Sequence, residues 1–301
     1  MKVLRGLFCL VVVLFSPPLQ SQSGVVGLSS QNLNLTFTSI DIPGAGVVGA
    51  YGINNNGDIV GYYGADSNAN KHAFLLSNGV FTYFDYPGKL STIATGINDT
   101  GLITGYTGNF FLQGFLYDGT TFTSVRDGSD TATVVYGINN AGVLVGGAGD
   151  PYTTKPFESL TGRFKTLNFP GTYVYGYASG INNFNQVVGY TDYDAYLYSH
   201  GTSTKTDFPG AEITEARGIN DKGIIVGWYE GGTPINIYGF VLIQGKFLSF
   251  SYPGAIITGA TAINNYGQVI GQYELSDLTW HGFVTSPITF WDFDQSGPLS
   301  Y

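Results

Sequence analysis

The side chains that could do chemistry in this sequence stand at the ends of three predicted strands. Each strand end places aromatic rings beside a carboxylate. The residues are Tyr190 and Asp192, then Trp228, Tyr229 and Glu230, then Tyr273 and Glu274. Aromatic rings can stack on the apolar faces of sugars, while carboxylates accept hydrogen bonds from hydroxyl groups. The pattern indicates a ligand-binding surface, and a glycan is the ligand class that it suits.

The same carboxylates leave a catalytic alternative open. A glycoside hydrolase uses two carboxyl groups about 5 to 9.5 Å apart, and Asp192, Glu230 and Glu274 would have to supply such a pair. Equivalent positions in successive repeats diverge from a common axis, so we predict no catalytic residues and favour binding over enzymatic activity. In a competing interpretation the rings pack in the core and the acids form a solvated rim.

Other polar residues point less clearly to a site. His72 and His281 fall in repeats that become neighbours if the repeats close into a ring, but a coordination site needs several converging ligands. The repeated asparagines suit tight turns, and no calcium-loop pattern of alternating carboxylates occurs. Neither a nucleophile elbow nor a phosphate loop is present. The sequence therefore predicts no metal site and no cofactor.

A repeated phrase shows what must position these residues. Gly-Ile-Asn occurs at 52, 96, 137, 180 and 218, and Ala-Ile-Asn at 262, so that successive copies lie 38 to 44 residues apart. A four-stranded propeller blade occupies about 40 to 45 residues. The spacing predicts one blade for each copy.

One repeat illustrates the four strands. The first copy predicts strands over residues 50–54, 59–63, 72–76 and 81–85, with Asn and Gly residues in the tight turns between them. Small residues recur at alternate positions of the first strand, as in Ala50 and Gly52. Small side chains are needed where backbones crowd, so we place this strand nearest the axis.

The predicted fold class is all-β: a six-bladed β-propeller of four-stranded antiparallel blades. We assign residues 36–294 to the propeller, 24–35 to a linker and 295–301 to a C-terminal tail. The fourth-strand phrase also occurs at Phe37–Gly44, before the first full repeat. Either that segment or Ile288–Asp292 could pair into the sixth blade and close the ring.

The first residues resemble an export signal. Lys2 and Arg5 precede nine apolar residues, Leu7–Phe15, and small residues follow, so we predict a signal peptide over 1–23 with cleavage near Ser23. The apolar run is shorter than the roughly 20 residues of a membrane-spanning helix. We expect an extracellular, cell-surface or periplasmic protein without a membrane span.

Charge and cysteine content exclude several functions. The formal net charge is −9, which disfavours nucleic acid, because nucleic-acid binding depends on neutralising phosphates with Lys and Arg. The single cysteine, Cys9, lies inside the predicted signal peptide. The mature chain would therefore contain no disulfide and no thiol nucleophile. We expect a monomer.

The repeated phrases resemble the bacterial exported proteins with HAF repeats. The name-giving phrase is His72-Ala73-Phe74, and Gly-Ile-Asn-Asn-x-Gly, Ile-Val-Gly-Tyr and Phe-Thr-x-x-Asp-x-Pro-Gly accompany it. The resemblance runs from about Phe37 to Asp292, although the third-strand phrase varies in the other copies. It implies export and a propeller-like fold, and it implies no established activity.

These observations favour an exported, non-enzymatic binding module for a glycan or a protein at the cell surface. A carbohydrate-active enzyme and a structural surface or matrix protein are the alternatives. We predict the ligand on the surface opposite the Asn-Asn-x-Gly turns, where the longer loops gather.

Overall fold

The computed structural model describes Leu33 and residues 35–108, 112–128, 132–150, 153–171, 173–232 and 235–288. The predicted signal peptide with Cys9, most of the linker, residues 289–292 of the second closure candidate and the predicted tail lie outside the described residues. Within the described ranges every regular element is a strand, and no helix there could cross a bilayer.

The strands follow one another in groups that match the repeats. A single strand, β1 (Phe37–Ile40), precedes them. Unit one comprises β2 (Val47–Ile53), β3 (Ile59–Gly64), β4 (His72–Ser77) and β5 (Val80–Phe84). Unit two comprises β6 (Thr92–Ile97), β7 (Ile103–Thr107), β8 (Gln113–Tyr117) and β9 (Phe122–Val125). Unit three comprises β10 (Ala132–Ile138), β11 (Leu144–Gly149), β12 (Lys155–Leu160) and β13 (Arg163–Thr166).

The second half of the chain repeats the arrangement. Unit four comprises β14 (Tyr177–Ile181), β15 (Val187–Tyr190), β16 (Ala195–Ser199) and β17 (Thr202–Lys205). Unit five comprises β18 (Thr214–Ile219), β19 (Ile225–Gly231), β20 (Asn236–Ile243) and β21 (Lys246–Phe250). Unit six comprises β22 (Ile257–Ile263), β23 (Val269–Glu274) and β24 (Trp280–Thr285). The strand predictions for the first copy are confirmed to within three residues at each end.

Pairing within each unit is antiparallel between successive strands. Units two, three and four are separate four-stranded sheets, whereas units one, five and six belong to one sheet of 12 strands. Single parallel bridges join that sheet, Val47 with Trp280 and Ile237 with Ile257. The larger sheet therefore consists of three four-stranded antiparallel units joined by minimal contacts.

The fourth strand of unit six comes from the N-terminal side of the chain. β1 pairs antiparallel with β24, with Phe37 opposite Thr285 and Ile40 opposite Gly282. Ser286 donates its backbone N–H to the carbonyl of Thr36, which extends this pairing. Of the two closure candidates, the N-terminal segment occupies this position.

The first strands of the units crowd one another, as the small residues in them predict. They contact each other in cyclic order, from unit one to unit six and back to unit one. A Cβ atom on Gly52 would lie 2.8 Å from the Cα of Gly96, and one on Gly180 would lie 2.8 Å from the carbonyl oxygen of Arg217. Neither distance leaves room for a side chain, which explains glycine at these positions.

The core lies between the units. Phenylalanine on the third strand is fully buried in four units, at Phe74, Phe115, Phe240 and Phe283. Burying such a ring stabilises the fold by about 1.5 to 3 kcal/mol. Phe240 of unit five packs in one cluster with Val188 and Ala195 of unit four, so the units depend on their neighbours to cover their core faces.

Candidate functional site

The four rings predicted to form a ligand surface are buried. Only 7% of Trp228, 8% of Tyr229, 4% of Tyr273 and 8% of Tyr190 is exposed. They do stand at the ends of second strands, as the sequence indicates, but neighbouring elements cover them there.

Aromatic residues from the loops that join each unit to the preceding one cover two of these rings. Phe208 stacks on Tyr229 with 3.6 Å between the ring centroids and 3° between the planes. Tyr252 stacks on Tyr273 at 3.6 Å and 6°. A ring face that is already stacked is not available to a sugar. The rings pack as core, which is the competing interpretation given above.

The three predicted acids belong to three different units. Asp192 accepts hydrogen bonds from the backbone N–H groups of Val174 and Tyr175, both at 3.0 Å, and so holds the loop between units three and four. Glu230 donates its backbone N–H to the carbonyl of Ile213. Burial raises the pKa of Glu274, and a hydrogen bond from Trp280 partly opposes that shift. Asp192 thus has a structural role of its own.

The two histidines each bind an aspartate on a neighbouring strand. Nδ1 of His72 lies 2.7 Å from Asp85, and Nδ1 of His281 contacts Asp41. These aspartates stand before the Pro-Gly turns. Within the described ranges, no group of three or more His, Cys, Asp or Glu side chains is placed to hold a metal ion.

The asparagines of the repeated phrase form a closed ring of hydrogen bonds. Each side-chain nitrogen donates to the backbone carbonyl of the equivalent asparagine in the next unit. The bonds run from Asn54 to Asn98 (3.2 Å), Asn98 to Asn139 (3.2 Å), Asn139 to Asn182 (3.1 Å), Asn182 to Asn220 (3.1 Å), Asn220 to Asn264 (3.1 Å) and Asn264 to Asn54 (3.2 Å).

The amide oxygens of the same asparagines organise their own turns. Asn220 Oδ1, for example, accepts the N–H groups of Lys222 and Ile224. Each of the other five repeats the pattern with the residues two and four positions further on. One residue type therefore closes its own turn and ties it to the next unit.

The residues that follow form a second ring. Each backbone N–H donates to the side-chain oxygen of the equivalent residue in the next unit, at 2.8 to 2.9 Å. Its members are Asn55, Asp99, Asn140, Asn183, Asp221 and Asn265. Asp99 and Asp221 stand three units apart, and the side-chain amides of the asparagines on either side donate to each of them.

The two carboxylates of the second ring are firmly held. Burial raises the pKa of Asp99, but hydrogen bonds from Asn55 and Asn140 outweigh burial and leave the pKa below its ordinary value. The group is ionised at neutral pH. Asp99 therefore adds a negative charge to the second ring.

Both rings line a depression on the surface that we call the turn face. The turn face consists of the six turns at 54–57, 98–101, 139–142, 182–185, 220–223 and 264–267. The depression has a volume of about 70 Å³, and the isoleucine that precedes each ring asparagine also lines it. Beside it, at the third position of their turns, Phe184 is 67% exposed and Tyr266 is 65% exposed. The turn between them carries the exposed Lys222 at the same position.

In the first strand of each unit, one residue lies between the two small residues noted above. From one unit to the next, this residue is alternately large and small. The large residues are Tyr51, Tyr136 and Arg217, and the small ones are Thr95, Ser179 and Thr261. Each small residue donates its hydroxyl to a carbonyl of the next unit, from Thr95 to Val135 (2.7 Å), Ser179 to Ala216 (2.6 Å) and Thr261 to Ala50 (2.7 Å). The six positions surround one interior space, and three large side chains share it.

Arg217 forms an ion pair inside this interior. Its guanidinium contacts the carboxylate of Glu215, and only 11% and 15% of the two side chains are exposed. The guanidinium also lies 4.4 Å from the ring centroid of Tyr190. Desolvation lowers the pKa of Arg217, but the Glu215 carboxylate together with Tyr190, Tyr136 and Tyr51 more than offsets this, so the guanidinium stays charged. Tyr190, one of the predicted site residues, therefore packs against this ion pair.

Comparison with known proteins gives distant structural likenesses only. No protein-family model and no curated protein matches the sequence. The β-propeller domain of the Trilobed protease from Pyrococcus furiosus is 10% identical, with a TM-score of 0.44, over 83% of this chain and 99% of that one. YCF48 bound to D1 peptide is 8% identical, with a TM-score of 0.47, over 87% and 100% of the two chains.

A third likeness is to the extracellular domain of the putative hybrid two-component system BT4673 from B. thetaiotaomicron. It is 12% identical, with a TM-score of 0.48, over 83% of this chain and 39% of that one. At these identities and TM-scores the likenesses carry no argument about function.

Proposed function

We propose that this protein is an exported, non-enzymatic, closed six-bladed β-propeller that binds a glycan at the depression of its turn face. The two hydrogen-bond rings support closure, because each returns to its starting unit after six steps. The sequence features of an export signal and the resemblance to HAF-repeat proteins support a place at the cell surface or in the periplasm.

One observation carries the choice of site: two aromatic side chains stand exposed beside a polar depression. Single exposed hydrophobic residues are common on proteins. Phe184 and Tyr266 are unlike such single residues, because they occupy equivalent positions of two turns that line the same depression. Ligand sites combine a concave shape, apolar or aromatic surface and a few placed polar groups.

The chemistry of the depression fits a sugar. Asp99 and Asp221 carry acceptor oxygens for hydroxyl groups, and the rings of Phe184 and Tyr266 offer faces for stacking. Lys222, between those two turns, adds a donor. This site lies on the face opposite to the one predicted from the sequence. We place it there because neighbouring elements cover the predicted rings on the other face.

A glycan array with the mature chain, followed by calorimetry on the hits, tests the proposal. Phe184→Ala with Tyr266→Ala should weaken binding at least about tenfold, equivalent to about 1.4 kcal/mol. The matched control is Tyr193→Ala, which removes a ring that is 59% exposed at the far end of unit four. Equal losses in the double variant and the control would contradict the site.

The same hits separate binding from catalysis. Incubation with the protein should release no reducing ends, and an increase in reducing ends would favour the enzyme alternative. A chain that binds no glycan on the array would favour the structural surface or matrix protein.

A further inference from the structure

A second surface lies at the opposite ends of the units. We call it the loop face, and it consists of the loops that join second to third strands and each unit to the next. Over units four to six it exposes large apolar side chains, which are Val174 (47%), Tyr193 (59%), Ile235 (68%), Ile256 (39%) and Leu278 (70%). Exposed apolar groups mark an interaction site where they lie together on one surface.

The loops that carry these residues are tied to one another. Val174 donates its N–H to Asp192, next to Tyr193, and the carbonyl of Tyr193 accepts from Thr214 in unit five. Unit five is then bridged to unit six between Ile237 and Ile257. Ile256 donates its N–H to Glu274, just before the loop of Leu278. The apolar side chains therefore stand on one connected framework.

Charge on the loop face divides the same way. The described loop residues of units four to six, at 167–171, 173–176, 191–194, 206–213, 232, 235, 251–256 and 275–279, contain no Lys or Arg. They contain five acids, which are Asp192, Asp194, Asp207, Glu212 and Asp277. The corresponding described loop residues of units one to three include Lys71, Lys89 and Arg126 as well as Asp66, Asp85, Asp127 and Asp150, so that their charges nearly balance.

Some of the negative charge is already compensated. Lys205 lies at the rim and pairs with both Asp194 and Asp207, at 2.7 and 2.8 Å. Glu212 and Asp277 are exposed, as are Ile235 and Ile256. The surface is thus apolar with uncompensated acid groups, and a complementary partner must be apolar and basic.

We propose that the loop face of units four to six docks a segment of a partner protein that carries both apolar side chains and Lys or Arg. Apolar contacts supply the attraction there, and Glu212 and Asp277 select the charge of the partner. This site is distinct from the glycan site on the turn face, and either can fail without the other.

A fluorescent peptide of alternating Lys and Leu is the probe, and anisotropy is the measurement. Peptides of alternating Lys and Ser, and of alternating Glu and Leu, are the comparators. The Lys-Leu peptide should bind at least about tenfold more tightly than either comparator, because it alone offers both kinds of group. Equal binding of the Lys-Ser peptide would reduce the effect to net charge and overturn the proposal.

Variants locate the site. Ile256→Ser with Leu278→Ser should weaken binding of the Lys-Leu peptide at least about tenfold. Leu90→Ser, at a leucine that is 65% exposed in the loop between units one and two, should leave it unchanged. An equal loss in both would overturn the proposal.

Charge reversal needs its own control. Glu212→Lys should weaken binding of the Lys-Leu peptide, whereas Thr82→Lys with Thr123→Lys makes the same change in net charge on exposed strand positions and should not. If the two proteins bind the peptide equally, Glu212 does not select the partner and the proposal is wrong. Glycan binding should be unchanged in all of these variants.

Discussion

Replacing Asn220 by alanine tests the idea that the first asparagine ring holds the units together. Asn220 is 3% exposed. Its side chain donates to the carbonyl of Asn264 at 3.1 Å and accepts the N–H groups of Lys222 at 3.1 Å and Ile224 at 3.0 Å. Alanine removes all three bonds and offers nothing in exchange.

The magnitude follows from those contacts. A hydrogen bond contributes about 1 kcal/mol net, and a buried group left without a partner costs about 1 to 3 kcal/mol. Three lost bonds should therefore lower the free energy of unfolding by about 3 kcal/mol. For a domain of this size each kcal/mol shifts the melting temperature by about 2 to 4 °C, so the expected fall is about 6 to 12 °C.

Differential scanning calorimetry measures the effect, with Asn68→Ala as the matched control. Asn68 is exposed and lies in a loop of unit one. Hydrogen exchange adds a local readout, because the amide of Ile224 should lose protection in the Asn220 variant. A melting temperature within about 2 °C of the control would refute the reasoning.

Three further predictions concern the second ring, the Arg217 ion pair and β1. Asp99→Asn should lower the melting temperature at neutral pH, because the native pKa of Asp99 is depressed. That stability is fully present above the ordinary carboxyl pKa of about 4 and is lost as the pH falls through the depressed native pKa, so the difference from wild type should shrink in acid. Arg217→Met removes the positive charge that pairs with the Glu215 carboxylate and should lower the free energy of unfolding by about 3 to 5 kcal/mol. Adding Glu215→Gln should recover most of that free energy, as measured by urea denaturation. Deleting Phe37–Ile40 exposes the edge of β24 and should lower the melting temperature; an unchanged value would mean that this pairing adds no stability.

The repeat unit could be predicted from the sequence because its signals are local. Turns rich in Asn and Gly and a period-two pattern of small residues are typical of short antiparallel strands. The bonds from one asparagine to the next unit could not be predicted in the same way. A tight turn already accounts for Asn220, and nothing near it in sequence shows that its amide nitrogen reaches Asn264.

The sequence contains a signal for the burial of the predicted rings, but it is visible only when two successive units are compared. Phe208 and Tyr252 each stand directly before Pro-Gly, and each covers an aromatic ring of the following unit. An aromatic residue before Pro-Gly paired with one at the end of the next second strand would have indicated stacking. The exposed Phe184 and Tyr266 carry no comparable signal, since only the structure shows that their turns surround a depression.

The alternation of large and small side chains on the inner strands means that a single unit is not the interchangeable part of this chain. Exchanging two adjacent units would place two of Tyr51, Tyr136 and Arg217 in neighbouring units. It would also place two of the small hydroxyl residues in neighbouring units elsewhere. Moving units in twos preserves the order. The chain is thus assembled from three pairs, and a shorter or longer ring engineered from it has to lose or gain two units at a time.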